Sequence, residues 1–248
     1  MSEQPLPTVN PLPAGDMPPP PHEVEVSSVR LVATLAVAGA LAGLAIVMVF
    51  QWANPRIQRH QAEVLKAAVQ QVLSGPARSE TVFLEDGKFT LQPQSDTAKL
   101  DRIYVGYDAD GNPVGVAIAA AEPGFQDVID LIFGYDPATH HVLGMTVLES
   151  KETPGLGDKI TKDSAFISEF NGVTAPLIGV KRGQAKGKDT EVEMITGATI
   201  SSRAVIRIIN DRLEEVGDAV DAFWASPAAR AAGRAESDSR AGAGGGGR

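Results

Sequence analysis

Thr196, Gly197, Ala198 and Thr199 form the stretch of this chain best suited to hold a phosphorylated group. They sit in the window Glu193 to Ser202, which reads E-M-I-T-G-A-T-I-S-S. Directly after it Ala204, Val205, Ile208, Ile209, Leu213 and Val216 recur at helical spacing, so Thr199 lies at or just before a helix N-terminus. A helix start has backbone N–H groups without partners and the positive end of the helix dipole, which stabilises an anion by roughly 0.3 to 1 kcal/mol. Gly197 and Ala198 leave the backbone open to a close-approaching phosphate or a modifying enzyme. The residues alone allow a second reading, in which Thr199 or Ser201 is simply a hydroxyl that caps the helix.

A second window, Glu149 to Ile160, reads E-S-K-E-T-P-G-L-G-D-K-I. Pro154, Gly155 and Gly157 predict a tight loop with exposed backbone groups, and Leu156 offers it an apolar contact. Such a loop can lie against a planar ring while Thr153 and the backbone bond the ring's polar edge. The plainer alternative is a surface turn with Lys151 and Glu152 as solvated charges.

Other chemistries are poorly supplied. The chain has no cysteine, which removes disulfides, thiolate zinc sites, iron–sulfur clusters and C-x-x-C-H haem attachment. Any redox work must use a carrier held by other residues, a flavin first among them. Gly183 to Asp189 lacks the spacing of a Walker A loop, so Arg182, Lys186 and Lys188 read as a solvated basic turn. His60, His140 and His141 show neither metal nor triad spacing, and Asp108, Asp110 and Asn112 belong to a hairpin turn whose twelfth position is Ala119, not the glutamate of a calcium loop. Gly124, Asp127 and Asp130 read as a loop glycine and exposed strand carboxylates, with no role assigned. A net charge of -9 leaves nothing to neutralise nucleic-acid phosphates in bulk.

The T-G-A-T stretch resembles the flavinylation motif of FMN-binding domains: an acidic residue, two variable positions, Ser or Thr, then G-A-T. It maps onto Glu193, Met194, Ile195, Thr196, Gly197, Ala198 and Thr199, with Glu193 where the family usually has Asp. The K-E-T-P-G-L-G-D-K segment from Lys151 to Lys159 is similar to that of the RnfG family, the FMN-bearing component of Rnf ion-translocating electron transport complexes; the related NqrC proteins keep E-T-P-G-L-G. The resemblance implies one covalent FMN per chain, a phosphoester on Thr199 made by a flavin transferase that reads Glu193 and Thr196 to Thr199. It implies further cofactor contacts from Thr196, Gly197, Ala198, Glu152, Thr153, Gly155, Leu156 and Gly157. The implied role is an electron relay, ferredoxin and NAD linked, among other membrane and peripheral subunits, with no independent turnover and no catalytic residue. Two alternatives are an NqrC-like component of a sodium-pumping NADH:quinone reductase and a non-redox single-pass adapter.

The elements that must position these residues fall into four segments. Residues 1–28 are proline-rich, carry no Lys or Arg and lack an apolar period, which predicts a disordered tail. Residues 29–52 predict a transmembrane helix: from Leu31 to Phe50 the only polar side chain is Thr34, and at about 1.5 Å per residue this stretch spans a hydrocarbon core of about 30 Å. Residues 53–225 predict one α+β domain, entered by a short amphipathic helix after Asn54-Pro55. It continues with strands near Thr81–Leu84, Phe89–Leu91, Arg102–Tyr107, Val114–Ala119, Val128–Phe133, Val142–Glu149 and Val192–Ile195, and with helices over Asp163–Phe170 and Ser201–Val220. Residues 226–248, mostly Ala, Gly, Ser and Arg, predict a second disordered tail. Arg30 before the helix against Arg56, Arg59 and Lys66 after it would place the domain in the cytoplasm by charge alone. The resemblance implies the reverse: a bacterial inner-membrane protein with a cytoplasmic N-terminus and a periplasmic FMN domain.

Overall fold

A computed structural model describes residues 27–233. Of the tail expected over residues 1–28, residues 1–26 lie outside the described residues and Ser28 already begins the first helix, and the part of the other tail beyond Gly233 also lies outside. The chain divides into two units, Met1–Ile57 and Gln58–Arg248.

The first unit holds most of helix α1 (Ser28–Val72), which is long and apolar enough to cross a membrane. Leu31 to Phe50 are exposed on every side, as a helix solvated by lipid requires. The hydroxyl of Thr34 donates to the Arg30 carbonyl at 2.7 Å, so the one polar side chain of the span is satisfied within the helix. The separate helix expected after Pro55 does not exist, because α1 runs through Pro55 without interruption. Proline inside a helix removes one N–H donor and costs about 3 kcal/mol. Long helix-forming stretches on both sides carry that loss, and the Arg56 guanidinium stacks 4.4 Å from the centre of the Trp52 ring across the weakened turn.

The second unit is built on an antiparallel sheet. Its strands are β1 (Arg78–Glu85), β2 (Lys88–Thr90), β3 (Asp101–Tyr107), β4 (Pro113–Pro123), β5 (Val128–Asp136), β6 (His141–Ser150) and β7 (Val173–Thr174), in the order β2-β1-β3-β4-β5-β6-β7. Short helices α2 (Lys159–Lys162) and α3 (Ser164–Ser168) follow β6. A parallel pair, β8 (Ile178–Lys181) and β9 (Glu191–Met194), then leads into the long helix α4 (Thr199–Ala225). The domain is therefore α+β, as the run of hairpins predicts.

Both faces of the sheet's middle are covered, because alternate residues of its central strands are apolar on each side. Ile103, Val105, Val116, Ile118, Leu131 and Phe133 face the core that includes Val205, Ile208, Ile209 and Val220 of α4. On the opposite face Ala117 and Ile132 meet Ala68, Val69, Val72 and Leu73 at the end of α1. Gly134 allows that seating: a Cβ there would collide with the Val72 carbonyl oxygen.

Residues 226–233 correct the predicted boundary of the C-terminal tail. They continue as a helical segment over 227–233, with Ala229 fully buried. Arg78 donates through Nη2 to the Ala232 carbonyl at 2.6 Å. A run of small residues carries no apolar periodicity, yet alanine packs well where a crevice admits nothing larger. Strands β7 and β8 were not legible either, since two and four residues are too short for an alternating pattern to register.

Candidate functional site

The turn between β9 and α4 sets Thr199 at the first helical position. Ala198 occupies the N-cap with no side-chain bond to offer, and Gly197 takes a left-handed φ of +84° that a residue with a Cβ would resist. The turn is closed from inside. Ala198 N–H donates to the Ile195 carbonyl at 3.1 Å, and Ser202 Oγ accepts from Ile195 N–H at 3.2 Å while donating to the Ala198 carbonyl at 2.9 Å.

Thr199 is therefore not the cap of its helix, and Ser201, whose hydroxyl points elsewhere, is not either. Among the described residues the Thr199 hydroxyl has no hydrogen-bond partner, and the N–H groups of Thr199, Ile200 and Ser201 find no acceptor. Thr196 and Gly197 are exposed and Thr199 is half-buried. The result is a reachable hydroxyl beside three free donors at the positive end of a 27-residue helix.

The second motif folds against this helix start, and Glu152 joins them. Its side chain is 4% exposed. One carboxylate oxygen accepts from Phe125 N–H at 2.8 Å and Gln126 N–H at 3.0 Å, and the other accepts from the Ser201 hydroxyl at 2.8 Å. Three separate segments, the turn at 124–127, the loop after β6 and the first turn of α4, thus meet on one buried carboxylate. Burial acts against its charge most strongly and would raise its pKa. The donors of Gln126, Ser201, Phe125 and Asp127 outweigh that, holding it below the ordinary carboxylate value. Gly124 and Gly157 are required by the same knot, because a Cβ on either would strike the Glu152 carboxylate.

The loop over the knot is braced by its own bonds. Thr153 Oγ donates to Gln126 Oε1 at 2.6 Å, and Leu156 N–H donates to the Thr153 carbonyl at 3.1 Å. Asp158 accepts from Gly155 N–H at 2.7 Å and from Lys162 Nζ at 2.6 Å; the Lys162 ammonium is the main reason its carboxyl stays below the usual range. Gly155 adopts φ +78°, and Leu156 remains 53% exposed at the loop's tip.

Expected and observed positions differ in three places. Glu152 is not a solvated charge, since it is buried and protein donors reach both its oxygens. Thr153 spends its hydroxyl on Gln126 instead of facing outward. Gly124 and Gln126, to which the sequence assigned nothing, hold the site from below; their signal was a glycine 28 positions before a glutamate, which no spacing rule connects. Glu193 accepts from Gly183 N–H at 2.9 Å and its own N–H donates to Glu169 Oε2 at 3.2 Å, so it braces the basic turn between β8 and β9.

The donor set, a hydroxyl and three N–H groups, suits a phosphate, and each of the three segments that meet at Glu152 also carries an exposed apolar side chain, Phe125, Leu156 or Ile200. The FMN-binding domain family matches residues 124–214, a span that begins at the glycine beneath Glu152 and contains Thr199. The RnfG protein of Shewanella piezotolerans, a component of an ion-translocating oxidoreductase complex, is 32% identical over 168 residues, 66% of this chain and 77% of that one. The chain belongs to the RnfG family.

Other RnfG proteins agree: that of Pectobacterium atrosepticum is 30% identical across 73% of this chain and 86% of its own, and that of Methanosarcina acetivorans 28% across 75% and 93%. The fold is shared with the crystal structure of Shewanella oneidensis NqrC (TM-score 0.56, 19% identity, 66% of this chain and 99% of that one). It is shared too with the corresponding component of a Na(+)-translocating NADH-quinone reductase from Parabacteroides distasonis (TM-score 0.52, 21% identity, 69% and 97%). As an RnfG protein this chain is a redox component of an ion-translocating oxidoreductase complex, with an FMN-binding domain and an apolar N-terminal helix long enough to cross a membrane.

Proposed function

We propose that this chain carries one FMN as a phosphoester of Thr199 and relays electrons through it inside an Rnf-type complex, linked to ferredoxin and NAD. The observation that carries the reading is the unpaired Thr199 hydroxyl at the first position of α4, flanked by three unpaired N–H groups. In this reading those N–H groups take phosphate oxygens, Gly197 leaves room for them, and the loop from Thr153 to Gly157 with Ala198 and Thr196 borders the cofactor. Bound flavin supplies both one- and two-electron redox chemistry at a single centre.

Attachment forms one bond from the Thr199 oxygen to phosphorus. The bond from phosphorus to the donor's leaving group breaks, and that group departs with the hydroxyl proton. A flavin transferase reading Glu193 to Thr199 performs the step, and the modified chain outweighs the bare one by one FMN less water. A covalent tether suits an exposed site: Leu156, Phe125 and Ile200 are all solvent-exposed, and a freely bound flavin there would escape between encounters with partner proteins.

Residues 29–52 are proposed as the membrane span, 53–233 as the flavin domain, and the domain's side as the periplasmic face of a bacterial inner membrane. Long domains cross irrespective of a small charge bias, so one basic residue against three does not oppose this.

Co-expression with an active flavin transferase and intact mass measurement tests the reading. The wild-type chain gains one FMN less water, and Thr199→Ala does not. A wild-type chain that stays unmodified refutes the covalent anchor.

A further inference from the structure

Lys159 stands beside the anchor and makes no close ion pair among the described residues. Its Nζ lies 3.9 Å from the point where a Cβ on Gly197 would stand, the nearest atom to that position. Asp158 feels its charge but is bound at 2.6 Å by Lys162, so the Lys159 ammonium makes no direct ion pair among the described residues. Lys159 is half-buried on α2, whose first turn follows the loop from Thr153 to Asp158. The amine and the free N–H groups of Thr199 to Ser201 therefore border the same short turn from two different elements.

We propose that Lys159 is the counter-charge for the phosphate on Thr199, fixing it during attachment and afterwards. The inference rests on the covalent FMN reading above. A phosphodiester keeps one negative charge and gains from charge-assisted donors, which are roughly twice as strong as neutral ones. The three N–H groups supply only partial charge, so a whole positive charge close to Gly197 completes the neutralisation. A half-buried ammonium whose nearest carboxylate, Asp158, is bound to Lys162 is in turn relieved by that anion.

The fold serves this placement. The Glu152 carboxylate and Ser201 hydroxyl tie the loop before α2 to the first turn of α4, which holds Lys159 close to residues some 40 positions later in sequence. A lysine in K-E-T-P-G-L-G-D-K thus acts on T-G-A-T, and the two motifs form one phosphate site.

The test is the rate of FMN attachment to the full-length, detergent-solubilised chain by its flavin transferase, read by intact mass. Lys159→Met is expected to slow attachment about tenfold, the size of one charge-assisted hydrogen bond. Lys159→Arg should recover most of the rate, and Lys186→Met, in the basic turn between β8 and β9, should match wild type. Wild-type attachment should also slow as salt rises from about 0.05 to 0.5 M, and that dependence should be weaker in Lys159→Met. A Lys159→Met rate equal to wild type overturns the proposal while the anchor stands, as does a Lys159→Arg loss as deep as that of Lys159→Met. A salt-independent wild-type rate overturns it too, even where Lys159→Met fails to fold. A wild-type chain that is never modified overturns the anchor and the counter-charge together.

Discussion

Replacing Glu152 separates a structural keystone from an ordinary surface charge. Glu152→Ala strands three donors: Phe125 N–H and Gln126 N–H, which belong to exposed residues, and the Ser201 hydroxyl, whose residue is 2% exposed. Water can rejoin the two amides, so each costs about 1 kcal/mol, and the buried hydroxyl costs about 1 to 3, for a loss of roughly 3 to 5 kcal/mol. Glu152→Gln keeps the shape and one acceptor oxygen, while the Ser201 hydroxyl can turn to accept from the new amide. Its loss is then the charge assistance alone, about 1 to 2 kcal/mol. Urea titration of the detergent-solubilised chain, followed by near-ultraviolet circular dichroism, measures both. Acid adds an independent arm. A carboxyl whose folded pKa is depressed contributes stability that is fully present above its unfolded value, 4.5 for a glutamate here, and is lost as pH falls through the folded value. Glu152→Gln should therefore flatten part of the decline in stability below that pH. A Glu152→Ala chain within about 1 kcal/mol of wild type, or equal losses for Ala and Gln, would refute the reasoning.

Two further outcomes follow from packing. Gly134→Ala drives a methyl group into the Val72 carbonyl, so it should cost about 1 to 3 kcal/mol and loosen the end of α1, seen as faster hydrogen exchange over residues 65–73. Deleting residues 227–248 removes buried Ala229 and the acceptor for Arg78; a lowered thermal midpoint is expected, and an unchanged one would mean this segment is the dispensable tail its composition suggested.

The sequence alone determined the local facts. The apolar stretch from Leu31 to Phe50, broken only by Thr34, reads as a helix long enough to cross a membrane, the apolar runs bounded by turns read as the strands β1 to β6, and the periodicity after Thr199 reads as a long helix. Each of these depends on neighbours within a turn or a hairpin, where side-chain spacing and backbone geometry are the same thing. Helix α1 passing through Pro55 and the buried alanine at 229 escaped that reading, because tertiary contact and flanking helix overrode the local signal.

The site divides the same way. T-G-A-T and K-E-T-P-G-L-G-D-K were legible as two motifs, but local pattern could not distinguish a capping hydroxyl from a free one. Only the folded chain decided it, by placing Ala198 at the cap and turning the Ser201 hydroxyl to Glu152, 49 residues away. Glu152, Gly124 and Lys159 take their roles from meetings between segments remote in sequence, and such meetings are set by how the sheet and α4 pack, a property that no single stretch of the chain contains.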